Sequence, residues 1–180
     1  MFKGCISLTQ APDLLATELA TSCYANMFNG CTRLTTSPAL PATTLATSCY
    51  EAMFEGCISL ITASELPATT LKESCYKNMF KNCNLLQSPP QIRANTLAKS
   101  CCEGMFSFSD DSTSTNVGLM ECPLLDAAKA VEFCYKDMFK NCRSLVRAME
   151  ILPLTTLAVS CCESMFKGCI NLENPPILPA

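Results

Sequence analysis

The chain has 180 residues, 49% of them apolar and only 16% charged, with a net charge of −3 and neither histidine nor tryptophan. That balance excludes recognition driven by a basic patch on nucleic acid or by attraction to an anionic membrane surface. The missing histidine removes the commonest general base and neutral-pH metal ligand, and no apolar run approaches the roughly 20 residues of a membrane span.

Met1-Phe2-Lys3-Gly4-Cys5 opens the chain and sets a motif. It returns as Met27-Phe28-Asn29-Gly30-Cys31, Met53-Phe54-Glu55-Gly56-Cys57 and Met79-Phe80-Lys81-Asn82-Cys83, at intervals of 26 residues. Met105-Phe106 begins a fifth copy that is not completed. Met138-Phe139-Lys140-Asn141-Cys142 and Met165-Phe166-Lys167-Gly168-Cys169 restore it. A fixed period of 20–50 residues marks stacked units, none of which can bury its apolar face alone. Residues 1–180 therefore predict a single array of about seven 26-residue coils. Neither end resembles the polar cap of such arrays, so the chain reads as a fragment of a longer one.

Within one repeat, Ala42–Glu55 predicts a short helix. Pro41 limits its start, Thr43 or Thr44 can cap it, and Leu45, Cys49, Ala52 and Met53 form an apolar stripe. Gly56 stops it. Gly4, Gly30, Asn82, Asn141 and Gly168 share its column, and glycine and asparagine are the residues that tolerate a left-handed C′ cap. Cys57–Leu66 and its Thr-rich equivalent Leu34–Leu40 predict a brief strand. The expected fold class is an α/β repeat solenoid with short parallel strands on one face and short helices on the other.

Repeat four replaces the usual Leu-Pro by Pro89-Pro90. Repeat five inserts a polar stretch, residues 107–118, that predicts a surface loop; the pattern resumes at Leu119, seven residues late. The fifteen cysteines fall into two columns, Cys5, Cys31, Cys57, Cys83, Cys142 and Cys169, and Cys23, Cys49, Cys75, Cys101, Cys134 and Cys161. Their spacing, without CxxC or histidine, argues against zinc. It predicts a ladder of small buried side chains, with inter-coil disulfides as the alternative. Cys102, Cys122 and Cys162 stand outside the columns and are expected to be the exposed thiols.

Phe28, Cys31 and Leu34, Phe54, Cys57 and Leu60, and Phe166, Cys169 and Leu172 share a Phe-x-x-Cys-x-x-Leu spacing that resembles the BspA-type leucine-rich repeats. The resemblance covers the whole chain. It implies a curved, right-handed leucine-rich-repeat array with its sheet concave. It also implies a bacterial cell-surface or secreted protein that adheres to host proteins or other cells. It brings no catalytic residue and no cofactor.

Two candidate sites follow. Thr9, Gln10, Thr35, Thr36, Thr62, Gln87, Glu121, Arg147 and Asn174 hold equivalent places just after the strand leucine, as a row suited to hydrogen bonding with a protein or glycan. In the insert, Asp110, Asp111, Ser112, Thr113 and Asn116 offer oxygen atoms, without the spacing of a calcium loop. A cysteine nucleophile would lack a base, so no enzyme is expected. The expected function is a non-enzymatic binding module, or else a spacer array that presents a binding domain located elsewhere. No nucleic-acid partner and no membrane insertion are expected.

Overall fold

The structure is a computed structural model that describes residues 1–109 and 117–178. Coils of 26 residues stack on one another in parallel. Three rows of isolated parallel bridges run along the stack. The first joins Thr36, Thr62 and Ser88, and then Glu121, Arg147 and Asn174. The second joins Leu66, Ile92 and Leu125, and then Ile151 and Ile177. The third pairs Glu18 with Thr44, Thr70 with Thr96, and Lys129 with Thr156.

The fourth side of each coil is a ribbon of overlapping turns, as in residues 47–56. Its backbone bonds alternate. Cys49, Glu51, Met53, Glu55 and Cys57 donate to the carbonyl three residues back, at 3.0–3.3 Å. Ser48, Tyr50, Ala52, Phe54 and Gly56 donate instead to Glu73, Cys75, Lys77, Met79 and Lys81 of the next coil, at 2.8–3.1 Å. Every fourth residue is left-handed, with φ of 52° at Ser48, 51° at Ala52 and 74° at Gly56. These fall at the third residue of alternate turns, 46–49, 50–53 and 54–57, where a type II turn requires positive φ.

This overturns the expected α/β leucine-rich-repeat solenoid. Among the described residues there is no helix, and β pairing is confined to single-residue bridges. The segment expected to be helical cannot be one, because a left-handed residue at every fourth place breaks a right-handed helix. The single strand per coil is replaced by three bridged points. Gly56, Asn82 (φ 59°) and Asn141 (φ 62°) are left-handed as their column implies, but they close turns and cap no helix. The adhesive, secreted role implied by the resemblance loses the fold on which it rested.

The ribbon sends pairs of side chains inward, Cys49 with Tyr50 and Met53 with Phe54, all at most 2% exposed. Successive coils place like on like. Phe2, Phe28, Phe54, Phe80, Phe106, Phe139 and Phe166 stack with centroids 5.5–5.7 Å apart and planes within 9°. Full burial of one such ring stabilises by roughly 1.5–3 kcal/mol. Tyr24, Tyr50 and Tyr76 stack beside them at 5.9–6.1 Å.

All fifteen cysteines are free thiols, and ten are buried. In the first column each thiol after Cys5 donates to a phenylalanine carbonyl of the preceding coil: Cys31 to Phe2, Cys57 to Phe28, Cys83 to Phe54, Cys142 to Phe106 and Cys169 to Phe139, at 3.0–3.2 Å. The buried ladder is thus also a set of inter-coil bonds. The expectation for exposed thiols needs correction. Cys102 is fully buried and Cys122 and Cys162 are half-buried, whereas Cys5 and Cys23 are exposed.

Candidate binding cleft

Leu34, Leu60, Leu86, Leu119 and Leu145 are each at most 3% exposed and anchor the segment that follows them. The next residues turn outward, so all nine candidate residues of the row are exposed: Thr9, Gln10, Thr35, Thr36, Thr62, Gln87, Glu121, Arg147 and Asn174. The structure joins Thr36 to Thr62 and onward to Ser88, and Glu121 to Arg147 and Asn174. Thr9 and Gln10 form no bridge among the described residues. Glu121 and Arg147 also form an exposed ion pair.

Two hydrogen bonds make each joint of this row except Arg147–Asn174, which has one. In one direction Ser37 donates to Thr62, Ala63 to Ser88, and Cys122 to Arg147, at 3.1–3.2 Å. In the other, Ile61 donates to Thr35, Gln87 to Ile61, Val146 to Met120, and Glu173 to Val146, at 2.9–3.1 Å. One joint fails. Pro89 occupies the column of Ser37, Ala63 and Cys122 and has no N–H to donate. Among the described residues, no bridge joins Ser88 to Glu121 and no hydrogen bond joins Met120 to Gln87.

A cleft of 450 Å³ opens at this joint. Gln87, Ser88, Pro89 and Gln91 form one wall, and Met120, Glu121 and Cys122 the other; Val117 and Gly118 lie where the insert returns. The walls are fixed. Leu124 N–H donates to Gln91 Oε1 at 2.8 Å, and Ile92 bridges Leu125 below. Val117 N–H donates to the Asn84 carbonyl at 3.2 Å. A Cβ on Gly118 would stand 2.5 Å from the Leu86 nitrogen and 2.7 Å from the Leu85 carbonyl carbon, so only glycine fits this approach. Burial pushes the Cys122 thiol well above its ordinary range, with the neighbouring Cys169 adding to the rise. It is a protonated thiol, not a nucleophile.

Gln87 and Glu121 are therefore brought together across one cleft, while the other row candidates lie along the stack on either side. Asp110, Asp111, Ser112, Thr113 and Asn116 lie outside the described residues. At the departure of the insert, Phe108 is buried and keeps the inter-coil bond to the Lys140 carbonyl at 2.8 Å. A second, polar cleft of 420 Å³ opens there, with Asn78, Lys81, Glu103 and Ser109 in its lining. The ion pairs Lys77–Glu103 and Lys81–Glu55 hold two of its charged groups, Glu103 and Lys81. Among the described residues, no three carboxylates or thiols are grouped to hold a metal ion, and no helix is long and apolar enough to cross a membrane.

Pro89, Gln91, Val117 and Gly118 were not among the residues singled out as a site from sequence. The available signal was a proline in the interior of a column where Ser37, Ala63 and Cys122 use their N–H to join the next coil. No family model, no curated protein and no solved structure matches the chain.

Proposed function

We propose that the chain is a non-enzymatic binding module whose ligand, a protein or a glycan, seats in the cleft between Ser88 and Glu121. The observation that carries this reading is the failed joint between Ser88 and Glu121 in the interior of the exposed row, where Pro89 opens a fixed concavity at the return of the insert. Concave sites with a few convergent polar groups are where ligands bind. Gln87, Gln91 and Glu121 supply those groups, and Val117 and Met120 an apolar rim, 57% and 58% exposed. Binding is favoured over chemistry on the ligand because, of the described lining residues, Glu121 is paired with Arg147 and burial raises the Cys122 thiol.

The test is a binding screen of the chain on glycan and peptide arrays, repeated with Gln87→Arg and Thr36→Arg. Gln87→Arg fills the cleft and should abolish the signal, whereas Thr36→Arg, two coils away, should leave it. The opposite result would place binding on the intact row, and an empty screen would favour a spacer.

A further inference from the structure

Building on that reading, we propose that the occupant of the cleft is an extended polypeptide segment, held through its main chain. The failed joint leaves four backbone groups without a hydrogen bond among the described residues. They are the Gln87 carbonyl on one wall and the Met120 N–H, Glu121 N–H and Glu121 carbonyl on the other. In intact joints the equivalent groups pair directly across the row, as Val146 N–H does with the Met120 carbonyl at 3.0 Å and Ala63 N–H with the Ser88 carbonyl at 3.2 Å. The open groups therefore continue the coil-to-coil interface and carry its register. An extended segment presents N–H and C=O groups alternately to both sides. It can donate to Gln87 and Glu121 and accept from Met120, which is strand addition at an open edge.

The opening cannot close on itself. Pro89 has no hydrogen to offer Glu121, and the Gly118 backbone is wedged against Leu85 and Leu86. Because Gln91 and the Ile92–Leu125 bridge hold the walls apart before anything binds, little ordering is left for the ligand to impose. The rim favours peptide over glycan. Val117 and Met120 offer apolar contacts for alternate side chains, and no aromatic ring stands in the lining for a sugar face to stack on.

The experiment screens the intact chain against an array of short linear peptides and, in parallel, a glycan array. The best peptides are resynthesised with one N-methylated amide at a time. Methylation at alternate amides should weaken binding by about tenfold or more and leave the intervening amides within about twofold, a pattern that side-chain recognition does not produce. Met120→Pro, which removes the protein's own N–H as well as the side chain, should bind about tenfold more weakly than Met120→Ala, which loses only the apolar contact. If Met120→Pro is misfolded by circular dichroism, the methylation scan alone decides. Peptide binding indifferent to the position of the methyl group would overturn the main-chain proposal. Glycan binding lost in Gln87→Arg, with no peptide bound, would overturn it while leaving the cleft as the site. If neither array binds, both readings fall.

Discussion

Ser48, Ala52 and Gly56 show what each coil asks of single residues. Left-handed backbone costs a residue with a Cβ about 1–2 kcal/mol and glycine nothing. Gly56→Val should therefore lower stability by more than about 1 kcal/mol in a urea titration, since a β-branched side chain is forced to a φ of 74°. A Cβ at Gly56 meets only ordinary contacts, whereas one at Gly104 runs into Asn78 Oδ1. Gly104→Ala should thus cost more than Gly56→Ala in the same measurement. The thiols give a second residue-scale outcome. Burial pushes Cys49 up to about 11 and Cys57 up to about 12, from an ordinary 9.0. A raised acid contributes stability that is whole below its unfolded value and is lost as pH climbs through its folded one. Stability should fall between pH 9 and 12, read by urea titrations along that range. Titrated at neutral pH, Cys5 and Cys23 should react first and the ten buried thiols only on denaturation, without any reductant. A shortfall after denaturation would mean disulfides. The Tyr135 hydroxyl is buried without a partner among the described residues, so Tyr135→Phe should hold or raise the melting temperature.

One turn ribbon explains both what the sequence discloses about an element and what it hides. The repeat period, the left-handed Gly/Asn column and the resumption at Leu119 can all be read directly, because each is a residue type recurring at a fixed place. The helix was misread from a spacing. Leu45, Cys49, Met53 and Cys57 are spaced strictly by four, and on a helix they would wind about 120° around the axis. A strict four-residue beat with Tyr50 and Phe54 also buried is the mark of paired turns. Of the other two left-handed columns, Ser22, Ser48, Ser74, Ser100, Phe133 and Ser160 carry no preference for that conformation, whereas Asn26, Asn78, Gly104 and Asp137 were a legible signal that Ala52 interrupts. The inter-coil ladder imposes it on the residues without the preference, as tertiary structure overrides propensity. The cleft was hidden for a related reason. A proline is visible in any sequence, but the hydrogen bond it withholds exists only once the row is known. The insert belongs to the same scale. Removing residues 110–116 brings Phe108 and Leu119 back to the usual spacing, and loop length costs little. The variant should fold, with a melting temperature within a few degrees of the parent. Failure to fold would contradict the register carried through Leu119.

At the scale of the whole molecule, the inner columns repeat the same residues, so a stack displaced by one coil would bury nearly the same core. The outer face does distinguish coils. Glu51, Lys77, Glu103, Lys136 and Glu163 occupy one column of the turn ribbon with alternating sign, and Glu73, Lys99 and Glu132 another. Lys77 pairs with Glu103 at 3.1 Å, Lys99 with Glu132 at 2.9 Å and Lys136 with Glu163 at 2.9 Å. Exposed pairs are individually weak, but a one-coil displacement sets like against like throughout both columns. The alternation gives the protein a rule for growing. Duplicating one coil, residues 46–71, would bring two glutamates together, whereas duplicating two, residues 46–97, would preserve the order of signs. The two-coil insertion should melt higher than the one-coil insertion at low salt, and the difference should shrink as salt screens the charges. Length in such a protein would then be gained by gene duplication in steps of two repeats.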